Sequence, residues 1–116
     1  MVRLICLLKR KPGWTVDEFR AHWQEHHGPL IRGTRDIARH VVMYEQYLPV
    51  DSPIPIGEEF DGVTIMGFET PDEFLAFVAE PAYTEVIQPD EQRFLDLDGL
   101  VGIIVDEPTT VMPLDD

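Results

Sequence analysis

A single α+β domain with the element order β-α-β-β-α-β is predicted by three features of the chain. The first ten residues hold an apolar run, two capped amphipathic segments follow at a wide spacing, and the remaining strand-like runs fall two between those segments and one after the second. This order is the split βαβ arrangement of ferredoxin-like folds, in which two main helices cover one face of a four-stranded antiparallel sheet. The reading places the domain at residues 1–106 and an acidic C-terminal tail at residues 107–116.

Each element follows from its residues. Val2 to Lys9 is apolar with almost no alternation, as expected of an inner strand covered on both faces, and Lys9-Arg10-Lys11-Pro12-Gly13 ends it. Thr15 with Glu18 three residues later forms a capping box, so a helix starts near residue 16; Gly28-Pro29 is expected to stop it just past His27. Ile37 to Leu48 is rich in β-branched and aromatic residues and reads as the second strand, and Asp61 to Phe68 as the third. The intervening PVDSPIPIGEEF, with three prolines, reads as a long functional loop, and the acid-rich GEEFD as a solvated surface or a lid. Thr70 and Pro71 open a second helix with Phe74, Phe77 and Val78 as its apolar stripe, and Pro81 ends it. Residues 82–96 read as one or two short helical turns split by Pro89, and Leu100 to Val105 as the last strand. The strands are apolar on both sides while one sheet face lacks a cover, so a homodimer with two sheets packed face to face is expected.

Composition bounds the function. Nine basic against 22 acidic side chains give a net charge of −13, which repels nucleic acid and anionic lipid. No apolar run approaches the roughly 20 residues of a membrane span, and the basic cluster after Leu8 does not fit a cleaved leader, so a cytoplasmic protein is expected. The one cysteine, Cys6, lies among apolar residues and is expected to be buried and inert.

The segment AHWQEHHGPL holds three of the four histidines and matches H-x-x-E-H through His22, Glu25 and His26. A zinc centre needs a further ligand from elsewhere, and no segment supplies a convincing one. The chain is also too short for the peptidases that use the pattern, so neither metal nor cofactor is expected; a haem would need one histidine beneath an apolar pocket. Phe19, Trp23, His26 and Leu30 share one helical stripe, and Val16, Arg20, Trp23 and His27 the next. If Trp23 packs toward the sheet, His26 and His27 flank the mouth of the space beneath the helix, where an imidazole suits proton abstraction. The plainer reading of His27 is a helix C-terminal cap, and that of His22 a hydrogen-bonded structural residue. On the second strand His40, Tyr44 and Gln46 alternate against Val41, Met43, Glu45 and Tyr47, and the polar set either lines a pocket or meets the dimer partner. Met66 reads as core or pocket wall. Asp90 and Glu91 either complement a helix dipole or hold a carboxylate against a pocket histidine.

Three segments, LLKRKPGWTVDEFRAHWQEHHGPL, FDGVTIMGF and PAYTEVIQPDEQRFLD, resemble the EthD-like family of the dimeric α/β-barrel superfamily, through Phe19, His22-Trp23, His27-Gly28-Pro29 and Asp90-Glu91 with Phe94. The resemblance implies a ferredoxin-like protomer that pairs its sheets into a barrel, with a pocket between sheet and helices. It also implies dehydratase-type or ether-degrading chemistry, although relatives in the superfamily include cyclases, oxygenases, isomerases and haem enzymes. The resulting expectation is cofactor-free dehydration, cyclisation or isomerisation of a small hydrophobic carbonyl or polyketide-like compound. His27, His26, Tyr44 and His40 are the catalytic candidates, and Trp23, Gln46 and Met66 the substrate-binding ones. A non-catalytic ligand-binding or accessory barrel, or a cofactor-free monooxygenase, remains the alternative.

Overall fold

The computed structural model describes residues 1–114, so Asp115 and Asp116 of the expected tail lie outside the described residues. Strands β1 (Val2–Leu8), β2 (Met43–Tyr47), β3 (Gly62–Phe68) and β4 (Val101–Val105) form one antiparallel sheet in the order β2-β3-β1-β4. The α+β, ferredoxin-like arrangement expected from the sequence is therefore present. Leu4 stands opposite both Met66 and Ile104, Cys6 opposite Thr64 and Gly102, and Tyr44 opposite Met66. Period-two alternation puts these residues, with Leu8 and Gln46, on the face that meets the helices.

The first helical segment departs from expectation. It does not stop at Gly28-Pro29 but runs as α1 (Val16–His22), a π-helical turn Trp23–His27, and α2 (Gly28–Gly33). The capping box at its start is formed: the Thr15 hydroxyl accepts from the Glu18 amide at 3.1 Å, and the Glu18 carboxylate accepts from the Thr15 amide at 2.9 Å. Pro29 is tolerated because the preceding turn is wide. The Gly28 amide bonds back five residues to the Trp23 carbonyl, and Pro29, at the start of α2, has no amide to leave unpaired.

Gly28 has a helical φ of −58° and is present for space, not for left-handed backbone. A Cβ there would stand 2.9 Å from the Gln46 amide nitrogen, which donates to the same Trp23 carbonyl at 3.0 Å.

The second helical layer repeats the device. α4 (Pro71–Ala79) ends before Pro81 as expected, but Pro89 does not split the segment that follows. A π-helical turn Tyr83–Ile87 runs directly into α5 (Gln88–Phe94), again with proline at the start of the α-helical part.

The second strand is shorter than Ile37 to Leu48. α3 (Arg35–Ala38) takes up its first part, because Ile37 is fully buried in a core cluster with Phe68, Phe77 and Ile87 and is held there by a helical turn. A second cluster gathers Leu8, Phe19, Trp23, Phe94 and Leu95. Burial of each such side chain contributes on the order of 1.5–3 kcal/mol. Trp23 lies against the sheet where β3 presents Gly62, whose added Cβ would come within 2.6 Å of the indole ring.

The opposite face of the sheet carries half-buried Ile5, Leu7, Val63 and Ile65, with Tyr47, Val101 and Ile103 exposed beside them. Among the described residues, no helix is long and apolar enough to cross a membrane.

Candidate active site

Between the helix-facing side of the sheet and the two helical layers lies a cavity of about 410 Å³. Its walls are mainly apolar, from Leu4, Trp23, Met66, Phe77 and Ile87 among others, and its polar lining comes from His27, Tyr44, Thr64, Tyr83 and Glu91. Gly102 and Ile104 of β4, on the same face, are exposed, so the cavity opens along β4.

His27 owes its position to the π-turn. Residues five apart diverge by about 140° on a regular α-helix, whereas the wider turn brings His22 and His27 back toward one side. Both meet Asp90, which α5 supplies from the other helical layer. His27 Nδ1 donates to Asp90 Oδ2 at 2.7 Å, and His22 Nε2 donates to Asp90 Oδ1 at 2.9 Å. An ionised carboxylate only accepts, so the hydrogen on His27 is on Nδ1; in the neutral ring Nε2 keeps its lone pair, and the ring lines the cavity. His27 is 5% exposed and Asp90 2%.

Burial lowers the His27 pKa from its ordinary value. Asp90 acts against that shift, and the neighbouring His22 and His26 reinforce it. For Asp90, burial alone would raise the carboxyl, but hydrogen bonds from His27 and His22 hold it below the usual carboxylate range. Phe94 packs against both imidazoles, at 4.9 Å from His27 and 4.7 Å from His22 between ring centres.

Glu91, next in sequence, points elsewhere. Successive helical residues diverge by about 100°, so while Asp90 meets the histidines, Glu91 lines the cavity and accepts from the Tyr83 hydroxyl at 2.9 and 3.1 Å. No cation pairs with it among the described residues; burial pushes its carboxyl up to about 7. Burial and the nearby Glu91 carboxyl raise the Tyr83 phenol as well. Tyr44, which lines the cavity, accepts from the Gln46 side-chain amide at 2.9 Å, so that bond does not use its own O–H, and burial raises its pKa. Burial also pushes the Cys6 thiol up to about 11, away from nucleophilic use.

The expected site residues separate. His27, Trp23, Tyr44 and Met66 line the cavity. Gln46 does not; it bonds the Trp23 carbonyl and the Tyr44 hydroxyl from outside the lining. His26 also lies outside, because the π-turn carries it to the surface; its side chain is 53% exposed, with Nε2 3.4 Å from Asp90.

His40 is not on a strand. It sits in the turn after α3, its Nδ1 2.9 Å from Glu73 and its Nε2 2.8 Å from Glu80, both on the α4 side of the molecule and away from the cavity.

The zinc-like pattern is not assembled as the sequence spells it. Glu25 takes no part, and the group that could hold a cation is His22, His26 and Asp90, whose ligand atoms lie within 4.8 Å of one another. In this arrangement Asp90 Oδ1 already accepts from His22 and, at 3.0 Å, from Arg93.

Glu91 and Tyr83 were missed as cavity groups, although a signal exists. Tyr83, Ile87, Glu91 and Phe94 recur at helical spacing, so an acid occupies a buried apolar stripe.

Fold and site together define a ferredoxin-like α+β protein whose pocket combines an imidazole–carboxylate pair with a neutral-leaning acid. The chain belongs to the EthD domain family, which matches residues 11–98. It is 26% identical over 110 residues to the conidial pigment biosynthesis dehydratase EthD of Metarhizium robertsii, covering 81% of this chain and 75% of that protein. Among solved structures it resembles an ethyl tert-butyl ether D family protein from Bacillus halodurans, with a TM-score of 0.69, 24% identity, and 93% and 99% of the two chains covered. It also resembles a dimeric ferredoxin-like protein from Bacteroides fragilis, with a TM-score of 0.66, 11% identity, and 91% and 95% covered.

Proposed function

We propose that this protein is an acid/base enzyme that acts, without a cofactor, on a small hydrophobic carbonyl compound, with dehydration as its reaction type. The observation that carries the reading is the orientation of His27. One ring nitrogen is fixed by a buried carboxylate, and the other is left to act as a neutral base in a mainly apolar cavity. The relative whose printed name is a dehydratase supports the reaction type. In this reading Nε2 of His27 removes a proton from the carbon next to the carbonyl, and Asp90 holds the tautomer and stabilises the imidazolium that forms. Tyr44, with its hydroxyl set by Gln46, donates to the carbonyl oxygen as charge builds there. A binding or accessory role needs few polar groups in the pocket, whereas His27, Tyr44, Thr64, Tyr83 and Glu91 all reach this one.

Exchange of α-hydrogens on aryl ketones in deuterated buffer, followed by NMR, tests the reading. The parent protein accelerates exchange, and His27→Ala lowers that acceleration by about 100-fold or more. Failure of the parent to accelerate exchange on any ketone that it binds would favour a binding protein instead.

The functional unit in this reading is a homodimer, supported by the uncovered apolar sheet face and by likeness to a structure described as dimeric. Light scattering at micromolar concentration should give twice the chain mass.

A further inference from the structure

The cavity holds an acid that proton abstraction by His27 does not use. Glu91 lines it, receives the Tyr83 hydroxyl, and pairs with no lysine or arginine among the described residues; the nearby Arg93 is turned to Asp90. Among the described residues, none that lines the cavity is a lysine or an arginine. A substrate carrying a carboxylate or phosphate would therefore enter a low-dielectric space with no counter-charge, next to an acid, in a chain of net charge −13. We propose that Glu91 is the proton donor to a leaving hydroxyl, and that the substrate is an uncharged β-hydroxy ketone or aldehyde; this rests on His27 as the base.

The step balances without an external reagent. Nε2 of His27 takes the α-proton, the electrons of that C–H bond form the carbon–carbon double bond, and the β-carbon–oxygen bond breaks toward its oxygen. The carboxyl proton of Glu91 joins that oxygen, and water leaves. His27 is left as imidazolium and Glu91 as carboxylate, and transfer of one proton between them through solvent restores both. The groups that face Glu91 are Tyr83 from the second π-turn, Asp90 from α5, Cys6 from β1 and Tyr44 from β2, with His27 across the same cavity. None of them offers a permanent positive charge, so burial here lifts the carboxyl to about 7 and leaves a substantial protonated fraction at neutrality.

The test uses the full chain and the aldol of acetone with benzaldehyde, a neutral aryl β-hydroxy ketone. Release of its enone is read by absorbance, and its α-hydrogen exchange by NMR. Glu91→Gln keeps size and burial, and its folding is checked by melting. It should lower dehydration by about 100-fold or more while α-exchange stays within about threefold, whereas His27→Ala loses both. Dehydration by Glu91→Gln within about threefold of the parent overturns the donor assignment. Parent protein that exchanges but never dehydrates this aldol, or that dehydrates the analogue with a ring carboxylate equally well, overturns the substrate assignment. Should Glu91→Gln not fold, Tyr83→Phe is the second variant. Loss of that hydrogen bond should move the upper limb of the dehydration pH profile upward and leave exchange unchanged, and an unmoved limb counts against the proposal.

Discussion

Two histidine–carboxylate clusters in this small protein are built from the same parts. At one, His27 donates to Asp90 at 2.7 Å; at the other, His40 lies 2.9 Å from Glu73 and 2.8 Å from Glu80. Both imidazoles have little solvent contact, at 5% and 8% exposure. Their pKa values nevertheless move in opposite directions. His40 spends both nitrogens on carboxylates, Glu80 first and then Glu73, and its pKa is raised. Burial over an apolar cavity lowers that of His27, which spends only one nitrogen. A carboxylate partner therefore does not by itself make a histidine a catalytic base. What distinguishes His27 in its proposed role is that one nitrogen stays unspent in a ring that lines the cavity.

The largest test of this contrast compares two truncations. His27→Ala should reduce turnover by about 1,000-fold, and His40→Ala should leave it within about twofold, measured as kcat/KM on the same ketone. An equal loss in both would erase the distinction.

Asp90→Asn sharpens it. The amide can occupy the site but cannot hold the imidazolium, so turnover should fall by about 100-fold. Asp90 raises the His27 pKa, so the acid limb of the pH profile should also move to lower pH.

Glu91 provides a test through stability. The folded chain holds its proton up to about pH 7, against an ordinary value of 4.5, so the folded state binds more protons than the unfolded one between those values. Its contribution therefore becomes destabilising as pH rises through that window, by at most about 3 kcal/mol. Melting curves should show the parent losing more stability than Glu91→Gln between about pH 4.5 and 8.

The smallest effect belongs to His40. Its pKa is raised on folding, so its stabilisation is fully present below the ordinary histidine value and fades as pH climbs through the folded one. His40→Ala should lower Tm by a few degrees near pH 5.5 and by less near pH 9.

Much of the fold could be read from local pattern. The capping box at Thr15, the Thr70-Pro71 start, and the apolar runs of β1, β3 and β4 all act within a few residues of themselves, and each appears where its chemistry places it. Gly28-Pro29 and Pro89 misled, because breaking a helix is their local tendency, while a π-turn that relieves the proline is set by packing of Trp23 and Ile87 into the core.

The same device explains the mixed outcome at the site. His27 and Trp23 reach the cavity, but His26 is rotated out, whereas a helical wheel drawn at uniform pitch puts His26 on the stripe of Phe19 and Trp23. His40 was placed on a strand by the β-branched residues that follow it, whereas buried Ile37 draws that stretch into α3. Asp90 was legible only as one of two possibilities, since its partners lie more than sixty residues away. Glu91 was visible in principle, as an acid on an apolar stripe.

The most direct measurement of the central claim is a pH titration of the His27 ring by ¹H–¹⁵N NMR on the protein free of ligand. The account predicts a neutral ring with its hydrogen on Nδ1 and with Nε2 unprotonated, titrating below the ordinary histidine value. A ring protonated on Nε2, or one that stays imidazolium above that value as His40 should, would contradict it.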